Sequence, residues 1–76
     1  MIELNGKSFS TTAKTVRELV AQHTGRPLTE DGSDAEGRRL GIAVAKNVAV
    51  LPRPRWHQEA VEPDDAFEIV TASQGG

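Results

Sequence analysis

The sequence predicts an α+β domain in which one helix packs on one face of a mixed β-sheet. Short segments alternate apolar and polar residues, as β-strands do, and one segment repeats apolar residues at helical spacing. The chain has 76 residues, enough for a single domain, which we place at residues 1–76. A domain this small buries only about 60% of the surface of its unfolded chain. Because its core is thin, a catalytic cleft is hard to build, which argues against an enzyme.

The composition argues against several functional classes. The net charge is −2, without the excess of Lys and Arg that nucleic-acid binding needs. The chain has no cysteine, and His23 and His57 are isolated, so we expect no disulfide, no thiol nucleophile and no metal site. It shows no signal-peptide core and no apolar run of the ~20 residues that span a membrane. We therefore expect a soluble, cytoplasmic protein, monomeric when free, that binds no cofactor.

The first segment, residues 2–11, predicts a β-hairpin. Ile2 and Leu4 alternate with polar residues, which is the strand period. Asn5-Gly6 is a strong signal for a type I′ turn, because both central residues of that turn need positive φ. The returning strand is expected to point Phe9 into the core.

A helix is predicted next. Thr15 is the expected N-cap, and Glu18 lies three residues later, where it completes a capping box. Gly25 fits the residue that stops the helix. One face of the predicted helix collects Val16, Leu19, Val20 and His23.

The segment 26–40 is polar and rich in turn residues, and only Leu28 and Leu40 can anchor it. We expect a long surface loop, which is either a mobile insertion or a contact for a partner.

The second half of the chain predicts three more strands. Strands at residues 41–47 and 48–51 are joined by a tight turn at Lys46-Asn47. Prolines then end the strand, and a short 3₁₀ helix is expected within residues 53–58. The last strand covers residues 66–72.

The predicted order is β-β-α-β-β-(short 3₁₀ helix)-β, which is a β-grasp arrangement. The helix crosses the sheet, and the last strand returns parallel beside the first. This anchors a flexible tail, residues 72–76, to the middle of the sheet. The tail ends in Gly75-Gly76, a pair that ends a chain by chance about 0.5% of the time.

With these elements in place, the sequence resembles the ThiS-type sulfur carrier proteins of thiamin biosynthesis, in the ubiquitin-like β-grasp group. The most specific features are the Pro-Arg-x-x-Trp string at residues 52–56 and the Gly-Gly end; MoaD-type carriers share only the latter. Val48 and Asp64 stand where members usually have glycine. The matching segments are LNG at 4–6, TVRELV at 15–20, GIAVAKN at 41–47, VLPRPRW at 50–56, PDDAFEIVTA at 63–72 and SQGG at 73–76.

The resemblance implies a reaction at Gly76. An E1-like, ThiF-type adenylyltransferase would use ATP to adenylate its carboxylate, which then becomes a thiocarboxylate and delivers sulfur to a ThiG-type thiazole synthase. Gln74 and Gly75 would pass through a narrow channel in each partner, because glycine has no Cβ and adopts many φ values. The chain is then a cosubstrate without catalytic residues.

A partner surface is expected on the sheet face that the helix leaves open. Ala43, Ala45 and Val70 are predicted to lie there, and Val50 is a candidate to join them. Ordinary, partly covered strand residues explain the same pattern. Arg53, near the root of the tail, either pairs with acidic groups of a partner or is simply solvated.

Three other functions stay open at this point. The first is a sulfur carrier for another product, such as molybdopterin, cysteine or another sulfur-containing metabolite. The second is a ubiquitin-like modifier that links Gly76 to a lysine. The third is a β-grasp binding module whose Gly-Gly end is incidental.

Overall fold

The computed structural model describes residues 1–37 and 41–71, and its elements follow the predicted order. Leu40 and the predicted tail, residues 72–76, lie outside the described residues. The elements are β1 (Ile2–Leu4), β2 (Lys7–Phe9), α1 (Val16–Thr24), β3 (Ile42–Lys46), β4 (Ala49–Leu51), a 3₁₀ helix (Arg53–Arg55) and β5 (Ala66–Thr71).

The strands form one mixed sheet in the order β2-β1-β5-β3-β4. β5 is parallel to β1, with Glu3 opposite Ala66, and antiparallel to β3, with Ile42 opposite Thr71. The predicted β-grasp topology is confirmed, since the last strand lies in the middle of the sheet. A strand paired on both sides is the firmest place in a sheet from which to extend a terminal segment.

The core lies between the helix and one face of the sheet. Trp56 is 1% exposed, and its Nε1 donates a hydrogen bond to the carbonyl of Leu51 at 3.0 Å. A core this small depends on each large side chain, so Trp56 is a structural residue. The buried apolar residues are Ile2, Leu4, Ala13, Val16, Leu19, Val20, Leu28, Ile42, Val44, Trp56, Phe67 and Ile69.

The helix begins and ends at its predicted capping residues. The hydroxyl of Thr15 accepts a hydrogen bond from the backbone N–H of Glu18 at 3.2 Å. Gly25 adopts a left-handed conformation, and its N–H bonds to the carbonyl of Ala21 at 2.8 Å. The capping box differs in one detail, because Glu18 Oε1 accepts from the N–H of Lys14 at 2.7 Å and not from that of the N-cap itself.

The turn between β3 and β4 lies one residue later than predicted. Lys46 still pairs with Ala49 in the ladder, so the turn residues are Asn47 and Val48. Their φ values are 49° and 78°, and Asp64 has a φ of 71°. The two departures from the family pattern, Val48 and Asp64, therefore both occupy left-handed positions that favour glycine. Without that glycine, the sequence gives no clear signal of where the second turn lies.

The described part of the loop, residues 26–37, is fastened to the helix. Leu28 is buried, as predicted, and its carbonyl accepts a hydrogen bond from Arg17 Nε at 3.0 Å. The buried carboxylate of Asp34 lies 3.7 Å from the guanidinium of Arg26. These contacts favour a folded loop over a mobile insertion.

Candidate docking face and chain terminus

The residue predicted to react, Gly76, and those predicted to pass through a partner, Gly75 and Gln74, lie outside the described residues. The structure does describe the strand that precedes them. Thr71 is the last residue of β5 and lies opposite Ile42, the first residue of β3. The last described residue therefore belongs to the central strand and lies beside the start of β3.

Arg53 braces β3 at this point. Its Nη2 donates a hydrogen bond to the carbonyl of Ile42 at 3.2 Å, and its guanidinium lies 5.8 Å from the ring centroid of Trp56. A guanidinium held by a carbonyl and an aromatic face is already engaged within the chain. Arg53 thus differs from the other predicted partner residues, since its contacts suit it to support the root of the tail.

The sheet face opposite the helix, which we call the open face, carries the remaining predicted partner residues. Ala43 lies opposite Val70, and Ala45 lies opposite both Glu68 and Val50. Val50 and Val70 are 78% and 55% exposed, and these residues line a shallow hollow of about 210 Å³. The structure therefore brings Ala43, Ala45 and Val70 together on one mostly apolar, exposed surface. Such surfaces are typical of docking sites for a partner.

The other end of the open face is acidic. Glu3 lies opposite Ala66, and Glu68 is the next outward residue along β5. With Val48 they line a second hollow of about 200 Å³, which we call the acidic hollow. Both carboxylates are exposed, and neither forms an ion pair within the part of the chain that the structure describes. Sequence analysis missed this feature, because alternation assigns a residue to a face while strand register decides its neighbours.

A charged network lies at the end of β3. Lys46 Nζ donates to Glu59 Oε2 at 2.9 Å and lies 3.5 Å from Asp65 Oδ2. The hydrogen bond to Glu59 raises the pKa of Lys46, against the effect of desolvation. Burial by itself would raise the pKa of Asp65, but hydrogen bonds from Glu62 N–H and Asn47, together with the Lys46 charge, leave it lowered. Lys46 pairs with both carboxylates within the chain, which indicates a structural role.

The histidines do not come together in a site. His23 is exposed in the last turn of the helix, where the dipole favours a basic residue, and the buried stripe of the helix ends at Val20. His57 is half-buried and lines a hollow with Arg17 and Leu28. Within the described ranges, no group of three His, Cys, Asp or Glu side chains is placed to hold a metal ion.

Comparisons with known proteins agree with this fold. A solved structure from Geobacter metallireducens, described as a thiamine biosynthesis protein (ThiS), is 27% identical, with a TM-score of 0.65; the match covers 99% of this chain and 97% of the other. No curated protein matches the chain. No helix in the described ranges has the length and apolarity to cross a membrane. The family model for ThiS matches residues 1–76. The chain therefore belongs to the ThiS family.

Proposed function

We propose that the chain is a sulfur carrier of thiamin biosynthesis and that the carboxylate of Gly76 carries the sulfur. The observation that carries this proposal is the match of the ThiS family model over residues 1–76, which includes the Gly-Gly pair. The relative described as a thiamine biosynthesis protein supports the choice of pathway. In this role the chain is a cosubstrate of other enzymes.

The chemistry takes two steps. An oxygen of the Gly76 carboxylate attacks the α-phosphorus of ATP, and pyrophosphate leaves, which forms an acyl-adenylate. Hydrosulfide, or a carrier of sulfur at that oxidation level, then attacks the acyl carbon; AMP and a proton leave, and a thiocarboxylate remains. Adenylation is needed because a free carboxylate is a poor acylating group. A ThiF-type adenylyltransferase binds ATP and provides the active site, and a ThiG-type thiazole synthase accepts the sulfur.

The folded body suits the presentation of this terminus. Thr71 ends a central strand, so the root of the tail is fixed by its pairing with β3. The four residues from Ser73 to Gly76 can extend by at most about 13 Å. That reach places the terminal carbon inside a partner while the body stays outside. Gly75 and Gly76 have no Cβ, which suits passage through a narrow channel.

The open face serves as the docking surface in this proposal. Val70 precedes Thr71 directly, and Ala43 lies beside it on β3, so a partner seated here also covers the root of the tail. Exposed valine side chains gain free energy when a partner removes them from water. Docking on this face therefore couples recognition of the body to capture of the carboxylate.

Reconstitution followed by intact-protein mass spectrometry tests the proposal. The chain is incubated with ATP, sulfide and the ThiF-type enzyme from the same genome. We expect an ATP-dependent mass gain equal to the exchange of one oxygen for sulfur at Gly76. A variant that lacks Gly76 should keep its circular dichroism spectrum and stay unmodified. The proposal is wrong if the full chain is never modified, or if the shortened chain is modified equally well.

The same incubation, extended with a cell lysate or with the downstream enzymes, separates the alternative functions. A ladder of higher-mass conjugates, formed through lysines of other proteins, would identify a modifier. A thiocarboxylate that a molybdopterin-forming enzyme consumes, and that the ThiG-type synthase does not, would assign another pathway. A chain that stays unmodified with every activating enzyme, yet binds a ligand with its body, would identify a binding module.

A further inference from the structure

We propose that the acidic hollow receives an arginine side chain of the activating enzyme, which pairs with Glu3 and Glu68 and fixes the orientation of docking. This inference rests on the proposed function, because it names the chemistry of the partner that the open face binds. It goes beyond that function, which requires only an apolar contact near the tail.

The geometry of the hollow suits a single long side chain. Glu3 and Glu68 flank Ala66: Glu3 lies opposite it on β1, and Glu68 follows it by two residues on β5. The methyl group of Ala66 leaves space between the two carboxylates, and Val48 lines the same space. Its volume of about 200 Å³ is small. Pockets for small molecules usually measure about 300 Å³ or more.

The two carboxylates of the hollow favour a positively charged ligand. Glu59 and Asp65 both lie within 4.0 Å of the ammonium of Lys46, whereas Glu3 and Glu68 have no such partner among the described residues. Two like charges on one sheet face repel each other, and a cation between them removes the repulsion. The same charges disfavour a nucleic acid or an anionic membrane, since both present phosphate.

Arginine fits this combination of groups best. Its guanidinium presents several donors in one plane and can bond to two carboxylates at once. Its aliphatic stem covers apolar surface while its charged end stays polar. Val48, which is 98% exposed, and Ala45 provide that apolar surface beside the carboxylates.

The hollow is continuous with the apolar part of the open face. Ala45 and Glu68 line both hollows, so one partner surface can cover the two together. From Val70 to Ala66 the strand runs four residues, about 13 Å. An apolar contact near the tail and a charged contact at this distance would orient the body, because two separate points of attachment prevent it from rotating on a single one.

The test measures the affinity of the ThiF-type enzyme for a variant that carries both Glu3→Gln and Glu68→Gln. Glutamine keeps the size of glutamate, and both positions are exposed, so the fold should persist. We expect Kd to rise roughly tenfold and to depend less on salt between about 50 and about 500 mM, because two charge pairs are lost. The control variant, with Glu30→Gln and Glu62→Gln, changes the charge equally away from the hollow and should bind within about twofold of wild type.

A double-mutant cycle adds the partner side. Arginines on the docking surface of the enzyme are replaced by alanine one at a time. One replacement should weaken wild-type binding yet leave binding of the Glu3→Gln, Glu68→Gln variant unchanged. The inference is overturned if the double variant binds with the affinity and salt dependence of wild type, or if no arginine couples to it.

Two further readouts separate the possible failures. If binding is unaffected but Gly76 still gains sulfur, the inference falls and the proposed function stands. If the wild-type chain neither binds the enzyme nor gains sulfur, both fall. Sedimentation of the chain alone should give a monomer; a dimer that the double variant dissociates would make a second copy the occupant and would also overturn the inference.

Discussion

The two hairpin turns of the sheet share a backbone conformation and differ in sequence. Asn5-Gly6 joins β1 to β2 with φ values of 53° and 82°, and Asn47-Val48 joins β3 to β4 with 49° and 78°. Glycine adopts such angles without steric cost, whereas a β-branched valine is strained there. Val48 is 98% exposed, so burial within the chain does not offset the strain. The second turn must be held by its surroundings.

The asparagine in each turn explains how the shape is imposed. Asn5 Nδ2 donates to the carbonyl of Ile69 at 3.3 Å, and its Oδ1 accepts from the N–H of Ile69 at 2.9 Å. Asn47 Oδ1 accepts from the N–H of Ala66 at 2.9 Å, and its Nδ2 donates to the carboxylate of Asp65 at 3.2 Å. Each asparagine thus ties its turn to β5. Tertiary hydrogen bonds can therefore hold a turn that its own residues disfavour.

The largest effect is expected from Asn5→Ala, which removes both bonds to Ile69. We expect a loss of about 2–3 kcal/mol in the free energy of unfolding, because a partly buried N–H and carbonyl lose their partners. Asn47→Ala is the matched control and should cost about 1 kcal/mol, since its bonds are more exposed. Urea denaturation measures both. Equal losses would contradict the idea that partial burial makes the bonds of Asn5 more costly to lose than those of Asn47.

The next effect is expected from Gly6→Val, which gives the first turn the sequence of the second. A Cβ at Gly6 would meet nothing within 4 Å, so the change tests backbone strain without a clash. The left-handed conformation costs valine about 1–2 kcal/mol, and the smaller freedom of valine in the unfolded chain offsets about half, so we expect a net loss of about 0.5–1 kcal/mol in unfolding free energy. Gly6→Ala serves as control and should lose less, because alanine is not β-branched. A Gly6→Val variant as stable as wild type would show that valine is not strained in this conformation.

The reverse change, Val48→Gly, should stabilise the chain. Removing the backbone strain of valine in the left-handed conformation contributes about 1–2 kcal/mol. The greater freedom of glycine in the unfolded chain offsets about half of that gain. We therefore expect a net gain of about 0.5–1 kcal/mol in thermal or urea unfolding. Combined with Gly6→Val, the two changes should add, because the turns lie at opposite ends of the sheet order. A loss of stability on Val48→Gly would end the strain argument.

The sequence predicts the first turn and misplaces the second for the same physical reason. Asn-Gly marks a left-handed pair locally, whereas the conformation of Asn47-Val48 depends on bonds to Asp65 and Ala66, nearly twenty positions away. Local signals also predict the helix caps, Thr15 and Gly25, correctly. What depends on distant residues is not visible in a local pattern.

The candidate site divides in the same way. Alternation alone places Ala43, Ala45 and Val70 on one face, and the structure confirms that arrangement. The approach of Glu3 to Glu68 depends on the parallel pairing of the first and last strands, which no local pattern contains. The contact of Arg53 with Ile42 and Trp56 likewise joins three separate elements. Sequence reasoning therefore identified the apolar half of the open face and missed its acidic half.

The smallest effect concerns pH and separates the two turns by the chemistry of their bonds. Asn5 bonds only to backbone, whereas Asn47 bonds to Asp65, whose pKa lies below its ordinary value of 3.8. Because the pKa of Asp65 is lower in the folded chain than in the unfolded chain, its carboxylate stabilises the fold when the pH is above the unfolded pKa. This stabilisation is lost as the pH falls through the folded pKa. Between about pH 5 and about pH 2, we expect the wild-type chain to lose up to about 1 kcal/mol through this group.

NMR of backbone amides provides the measurement. On acidification, the amide of Ala66, next to the Asn47 turn, should shift and lose protection, measured as its exchange rate relative to the intrinsic rate at each pH, with a midpoint below the ordinary pKa of Asp65. The amide of Ile69, next to the Asn5 turn, should not follow that midpoint, because its partner does not titrate. In Asp65→Asn the response of Ala66 should disappear. If both amides respond with one midpoint, the turns are coupled through β5 and the distinction between a backbone-held and a charge-held turn is wrong.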